Sequence, residues 1–135
     1  MSSIGTKEYM LAKVLKSISD DESLKLFRQI ALRTTDSESL RNNTQMTRKQ
    51  YYSRMSRLMK AGLIKRKNGK HTLTAFGKII YDTQITIENA INNYWKLKAI
   101  DSLEMSDDLP ADERKKLIAN LIENDSIREI LTNKP

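Results

Sequence analysis

The spacing of apolar residues predicts a mainly α protein that contains one small β-hairpin. Apolar positions recur three and four residues apart over most of the 135-residue chain. The predicted helices cover approximately 7–18, 20–33, 36–42, 47–61, 74–105, 111–123 and 126–131. Three of them begin at a capping box, in which a hydroxyl residue is followed three positions later by Glu or Gln. The boxes begin at Ser19, Thr35 and Thr47.

The predicted hairpin is formed by two short segments on either side of Asn68-Gly69. This dipeptide favours a type I′ turn, because both central residues of that turn need a positive φ. The predicted cross-strand pairs are Ile64 with Leu73, Lys65 with Thr72, Arg66 with His71 and Lys67 with Lys70. Like charges directly opposite each other are unfavourable. A tip with two facing lysines therefore suggests that a polyanion supplies the missing counter-charge.

The segment 74–105 shows the longest apolar repeat, and it predicts one long helix capped by Thr74. Its four-three spacing is that of a coiled-coil seam made of Phe76, Ile80, Thr83, Ile87, Ala90, Tyr94 and Leu97. A helix of about thirty residues spans roughly 45 Å, more than a small domain needs to cover its own core. We therefore favour a homodimer through 74–105, with packing against the N-terminal helix as the alternative.

Positive charge is concentrated in one window of the chain, from Arg41 to Tyr81. That window holds eleven basic residues and no Asp or Glu, whereas the whole chain has 24 Lys and Arg against 17 Asp and Glu. The remainder therefore carries 13 basic and 17 acidic residues. A cationic surface without carboxylates suits a polyanion such as nucleic acid, because each neutralised phosphate releases condensed counterions.

The predicted helix over 47–61 has an apolar face and a face of basic and hydroxyl residues. At about 100° per residue, Tyr51, Met55 and Leu58 fall on the side that faces the core. The other side carries Lys49, Tyr52, Ser53, Ser56, Arg57 and Lys60. Ordinary surface helices mix charges of both signs, since opposite charges four residues apart stabilise them. We therefore favour a recognition helix, which forms a helix-turn-helix with the short helix before it and ends at Gly62.

Two phrases on either side of the hairpin turn carry a family resemblance. The first runs from Thr47 to Ile64 and ends in Leu-Met-Lys-Ala-Gly-Leu-Ile; the second is Leu-Thr-Ala-Phe-Gly at 73–77. Together they resemble the winged helix-turn-helix family of prokaryotic transcription regulators, of the MarR-like, ArsR-like and PadR-like kind. The segment 39–46 departs from the Ala-rich second helix of that family. The resemblance implies that the helix from Thr47 enters the major groove of double-stranded DNA and that the wing over 65–71 follows the backbone or minor groove.

The candidate DNA contacts divide into two sets. The start of a recognition helix goes deepest into the groove, so base contacts are expected from Arg48, Lys49, Tyr52 and Ser53. Phosphate contacts are expected from Thr47, Ser56, Arg57, Lys60, Arg66, Lys67, Asn68 and Lys70. His71, next to the wing tip, is expected to meet phosphate or solvent.

Other chemistry finds little support in the sequence. The chain has one His and no Cys, and no nucleophile–base phrase, so we expect neither an enzyme nor a cofactor or metal site. Trp95 beside Tyr94 could line an effector pocket between dimer helices, but their helical spacing is more typical of core residues. Apolar runs stay well short of a membrane span, and we expect a cytoplasmic, nucleoid-associated protein.

These predictions divide the chain into an N-terminal helix (1–19), a DNA-binding domain (20–81), a dimerisation helix (74–105) and an acidic helical segment (107–135). The leading hypothesis is a homodimeric DNA-binding transcription regulator. One alternative is an architectural, chromatin-type protein that coats DNA without sequence preference. Another is a winged helix that serves as a protein-interaction adaptor, against which the acid-free window argues.

Overall fold

The computed structural model describes residues 3–32, 35–104 and 108–133. The helices in these ranges are α1 (Ser3–Ser17), α2 (Asp21–Leu32), α3 (Ser37–Thr44), α4 (Arg48–Lys60), α5 (Ala75–Asn92), α6 (Tyr94–Glu104), α7 (Ala111–Leu121) and α8 (Asp125–Asn133). The strands are β1 (Thr35–Asp36), β2 (Ile64–Lys67) and β3 (Lys70–Leu73). The predicted mainly α fold with a small hairpin is therefore confirmed. Of the helices described, none has the length and apolar character needed to cross a membrane.

The chain folds into two compact units, Met1–Tyr81 and Asp82–Pro135, and the division falls inside α5. Each unit has its own apolar core. The core of the first unit contains Val14, Leu26, Phe27, Ile30, Leu40, Met46, Tyr51, Met55, Leu58, Leu63, Ile64 and Leu73. The core of the second unit contains Ile100, Ile118, Ile122 and Ile127.

The predicted N-terminal helix is present as α1, but most of its apolar stripe stays at the surface. Val14 is buried and Ile18, just beyond the helix, packs against the core of the first unit. Met10, Leu11 and Leu15 are exposed. Helical spacing of apolar residues therefore identified the helix correctly, although only its inner edge is covered within the unit.

The cap of α2 differs from the prediction by one residue. Asp20, rather than Ser19, accepts a hydrogen bond from the backbone N–H of Ser23, at 3.0 Å. The Ser19 hydroxyl instead donates to the carbonyl of Lys16, at 3.0 Å. A carboxylate at the cap satisfies one of the free N–H groups of the first turn, as a serine would. The predicted end at Arg33 lies outside the described residues.

The predicted capping box at Thr35 is wrong, because Thr35 and Asp36 form β1. Their backbones pair antiparallel with β3, Thr35 opposite His71 and Asp36 opposite Lys70. Pairing with a strand gives these backbone groups hydrogen-bond partners that a helix cap would otherwise supply. Helix α3 consequently starts at Ser37 and continues past the predicted end to Thr44.

The sheet has the order β1-β3-β2, so β3 is its central strand. The predicted register between β2 and β3 is confirmed in all four pairs, from Ile64 with Leu73 at the base to Lys67 with Lys70 at the tip. Asn68 and Gly69 have φ angles of 55° and 75°. These two positive values are the ones a type I′ turn requires.

A close junction joins the end of α4, the hairpin and the start of α5. The Thr74 hydroxyl donates to the carbonyl of Gly62 at 2.6 Å and accepts from the N–H of Gly77 at 2.9 Å, which confirms Thr74 as a cap. A Cβ on Gly77 would lie 2.0 Å from the carbonyl oxygen of Leu63, so only glycine permits this approach. Gly62 adopts φ +81°, as expected of the glycine that ends α4.

The prediction of one unbroken helix over 74–105 is wrong, because the helix is interrupted at Asn93 between α5 and α6. The Asn93 side chain donates to the carbonyl of Asn89 at 2.8 Å, and its backbone N–H lies 3.1 Å from the carbonyls of both Asn89 and Ala90. Short amides compete in this way with regular helical hydrogen bonds. The apolar repeat continued through this position and gave no sign of the interruption.

The C-terminal helices pack on α6 through isoleucines. Ile118 on α7, Ile122 just after it and Ile127 on α8 form the core of the second unit with Ile100. Pro110 lies at the cap of α7 rather than in its first turn, and α7 ends two residues before the predicted Glu123. Tyr94 and Trp95 are exposed on α6, so the expectation that they are core residues is wrong.

Candidate nucleic-acid interface

The N-terminus of α4 is fixed by the predicted capping box at Thr47, which the structure confirms. The N–H of Gln50 donates to the Thr47 hydroxyl at 3.2 Å, and the N–H of Thr47 donates to the Gln50 side chain at 3.1 Å. Two free donors of the first turn are thus satisfied reciprocally. The box fixes where the helix begins and places Arg48 and Lys49 in its first turn.

Helix α4 has the two faces that the sequence predicts. Tyr51, Met55 and Leu58 are buried in the core of the first unit. The predicted contact residues of the other face are all exposed: Thr47, Arg48, Lys49, Tyr52, Ser53, Ser56, Arg57 and Lys60. Because the buried side anchors the helix, the exposed side chains project from a backbone whose position is fixed.

The wing residues are exposed, and one of them, Arg66, lines a groove together with residues of α4. Arg66, Lys67, Asn68 and Lys70 all reach solvent. A groove of about 450 Å³ runs between the helix and the hairpin. It is lined by Tyr51, Tyr52, Met55, Ser56, Met59, Lys60, Arg66 and His71. Every one of these lining residues is either uncharged or basic, so helix and wing present a continuous surface without carboxylates along this groove.

The prediction that His71 meets phosphate or solvent is wrong, because His71 is only 4% exposed. Residues two apart on a strand share a face, so His71 points the same way as the buried Leu73. This alternation was a signal in the sequence that could have placed it correctly. Burial, together with the nearby positive charge of Arg66, lowers the pKa of His71 from its ordinary value of 6.5. His71 is therefore a neutral residue on the buried face of the wing.

Two acids from α2 and its cap reach the basic helix, which the charge pattern along the chain did not reveal. Asp20 Oδ2 lies 3.2 Å from Arg54 Nε, and Asp20 Oδ1 lies 3.6 Å from Arg57 Nη1. Glu22 Oε2 lies 2.9 Å from Arg54 Nη2. The window is therefore free of acids in the sequence, but in the folded structure acids from outside it contact α4. The cluster Asp20-Asp21-Glu22 at the start of the neighbouring helix was the available signal.

The described ranges contain no group of three or more His, Asp or Glu side chains that could hold a metal ion. The side chains brought together here are cations, hydroxyls and one exposed tyrosine. Such groups donate hydrogen bonds to phosphate oxygens and base edges. The geometry therefore favours binding of an anionic polymer.

Three solved structures resemble this chain in fold. One is the solution structure of a homodimeric winged helix-turn-helix DNA-binding domain from Mycobacterium bovis, described as a possible ArsR-family transcriptional regulator; it is 14% identical, with a TM-score of 0.56 over 65% of this chain and 87% of that chain. An ArsR-like transcriptional regulator from Rhodococcus sp. RHA1 is 18% identical, with a TM-score of 0.51, and the match covers 76% of this chain and 98% of that chain. The activation domain of the phage T4 transcription factor MotA is 16% identical, with a TM-score of 0.51 over 65% and 97%.

No protein-family model matches the sequence, and no curated protein matches it either. At identities this low the three structures establish the fold and nothing finer. The chain has a winged helix-turn-helix fold, in which α3 and α4 form the helix-turn-helix and β2–β3 form the wing.

Proposed function

We propose that this protein is a DNA-binding transcription regulator that reads double-stranded DNA through α4 and the β2–β3 wing. It acts by binding rather than by catalysis, and we place it in the cytoplasm, at the nucleoid. The observation that carries the proposal is the groove between helix and wing, whose lining residues are all neutral or basic. A fold shared with the DNA-binding domain of a possible ArsR-family regulator and with an ArsR-like transcriptional regulator supports the same assignment.

The roles of the exposed side chains follow from their positions on α4 and the wing. Arg48, Lys49, Tyr52 and Ser53 lie at the capped end of α4, which enters the major groove first. We assign them to base edges, where lysine and arginine pair best with guanine. The remaining contacts, to phosphates, are assigned to Thr47, Ser56, Arg57, Lys60, Arg66, Lys67, Asn68 and Lys70.

Selection of bound fragments from random duplex DNA tests the proposal directly. A regulator is expected to enrich one short sequence and to bind it about a thousandfold or more tightly than unrelated DNA at physiological salt. Competition with unrelated duplex then separates the candidate functions. A ratio near one would instead support an architectural protein that coats DNA, and no binding at moderate salt would support a protein-interaction adaptor.

We also propose that the protein is a homodimer through the segment 74–105. Ile87, Ile91 and Trp95 are exposed there, Trp95 by 77% of its surface. Ile87 and Ile91 lie one turn apart on α5, and neighbouring apolar side chains at the surface commonly mark an interaction site. A two-fold pairing would present two recognition helices to successive turns of DNA, about 34 Å apart.

Light scattering on two matched variants tests the dimer and locates its interface. Ile91→Glu places a charge on the exposed face of α5 and is expected to give monomers. Leu11→Glu places the same charge on the exposed face of α1 and is expected to leave the mass unchanged. If Leu11→Glu were monomeric and Ile91→Glu dimeric, the interface would lie on α1 instead. If the wild-type protein were monomeric, the dimer proposal would be wrong.

A further inference from the structure

Asp20 forms ion pairs with two arginines of α4, a close one with Arg54 and a longer one with Arg57. Arg54 Nε lies 3.2 Å from Asp20 and its Nη2 lies 2.9 Å from Glu22, so this guanidinium bridges two acids. The Arg54 side chain is only 21% exposed. This pair of contacts ties the start of α2 to the middle of α4.

Arg57 has a looser contact with the same acid. Its Nη1 lies 3.6 Å from Asp20 Oδ1, and its side chain is 49% exposed. A half-exposed ion pair at this distance is weak, because water screens it and the long side chain loses freedom in making it. Arg57 also lies on the face of α4 that is assigned to DNA, so a phosphate is a natural replacement for the carboxylate.

The carboxylate of Asp20 is itself held in place. It accepts the N–H of Ser23 at 3.0 Å and thereby caps α2. Partial burial opposes its ionisation, but hydrogen bonding to Ser23 and the Arg54 guanidinium outweigh this effect, and the pKa of Asp20 lies below its ordinary value. Asp20 is therefore a fixed negative charge beside α4 at neutral pH.

We propose that Asp20 is an intramolecular substitute for a DNA phosphate, which holds Arg57 in the free protein and lowers the affinity of α4 for duplex DNA. When the helix docks, Arg57 exchanges Asp20 for a backbone phosphate. This inference rests on the proposed DNA-binding function. Because phosphates are the same in every sequence, Asp20 lowers the affinity for all duplexes alike and leaves the specificity ratio unchanged.

The test compares Asp20→Asn with Asp21→Asn in the full chain. Both remove one negative charge from neighbouring positions, and Asp21 is exposed. Asparagine keeps an oxygen that can cap α2, and Asp20→Ser, which also caps, serves as a second variant. Dissociation constants for a labelled duplex are measured by fluorescence anisotropy at several salt concentrations, and thermal melting shows that each variant is folded.

Asp20→Asn is expected to bind cognate and random duplexes about two- to fivefold more tightly than Asp21→Asn, the range of a weak surface ion pair. The gain should disappear in an Arg57→Gln background. Equal affinities of the two asparagine variants, or a gain that survives without Arg57, would overturn the inference while the DNA-binding function stands. Failure of every variant and the wild type to bind duplex at low salt would overturn both.

Discussion

Helix α4, the proposed recognition helix, and the wing carry similar positive charge, but the protein holds the two surfaces in different ways. Helix α4 is capped by a reciprocal pair of hydrogen bonds and buried along Tyr51, Met55 and Leu58. The wing is anchored by buried residues only at its base and middle, and its tip is exposed. A side chain on a fixed helix can meet one base edge repeatedly, whereas a charge on an exposed turn can meet any nearby phosphate. This difference is the basis of the proposed division of roles, in which α4 reads the sequence and the wing supplies general affinity.

The largest expected effect comes from breaking the junction that holds the two surfaces together. In Gly77→Ala the new Cβ would lie 2.0 Å from the Leu63 carbonyl oxygen, so the start of α5 must move away from the backbone at Leu63. We expect the free energy of unfolding to fall by about 3 kcal/mol, measured by urea denaturation, and DNA binding to weaken with it. The control is Gly69→Ala, whose Cβ meets nothing within 4 Å. Its positive φ alone should cost about 1 kcal/mol. Similar losses in both variants would show that crowding at the junction is unimportant.

A second prediction removes one charge from the helix. Lys49→Ala is expected to weaken binding to the selected sequence by about 1–3 kcal/mol and to relax base preference, because a base contact is lost. Anisotropy titrations with the selected duplex and with single-base variants of it measure both quantities. Equal weakening on selected and random DNA would remove Lys49 from the base-reading set.

The matched change on the wing removes the same charge from a residue assigned to phosphate. Lys67→Ala is expected to weaken all duplexes alike and to reduce the slope of log K against log salt by about one. The same titrations at four or five salt concentrations give this slope. If Lys67→Ala altered base preference as Lys49→Ala does, the proposed division between helix and wing would be wrong.

The smallest expected effect is a change of stability with pH caused by His71, the neutral residue on the buried face of the wing. Its folded-state pKa lies below 6.5, so the unfolded chain takes up a proton at a higher pH than the folded protein does. Acidification from about pH 7 through the unfolded-state pKa of about 6.5 should therefore reduce stability, until the folded protein also becomes protonated. Because the chain has one His, a single NMR titration follows it. A midpoint at or above 6.5, or a stability that stays constant over this range, would contradict the prediction.

Local signals in the sequence predicted most of the winged helix-turn-helix unit. The capping box at Thr47, the turn at Asn68-Gly69 and the cap at Thr74 each depend on neighbours within three residues, and all three are confirmed. The two faces of α4 followed from helical periodicity. Such features are decided by short-range chemistry, which a single sequence displays.

The errors concern features that depend on distant parts of the chain. Thr35 has the local pattern of a helix cap, yet its backbone pairs with His71. Rules that consider only neighbouring residues cannot predict a partner so distant in sequence. Asp20 lies far from Arg57 in sequence, so a charge window that begins at Arg41 could not reveal their contact. The interruption at Asn93 was missed for another reason. The regular apolar repeat indicated a continuous helix, although Asn92 and Asn93 are adjacent amides that can interrupt one. Which candidate residues bind DNA stays a prediction.

The pairing of Lys67 with Lys70 at the tip of the hairpin affects how the isolated protein behaves in different buffers. Two facing ammonium groups repel each other, and dissolved ions weaken that repulsion over a screening distance of about 10 Å at 0.1 M. Raising the ionic strength should therefore have opposite effects on the unbound protein and on its complex. It should stabilise the hairpin of the unbound protein, and it should weaken the binding of a polyanion. A buffer of high ionic strength is therefore a poor one in which to look for a polyanionic ligand.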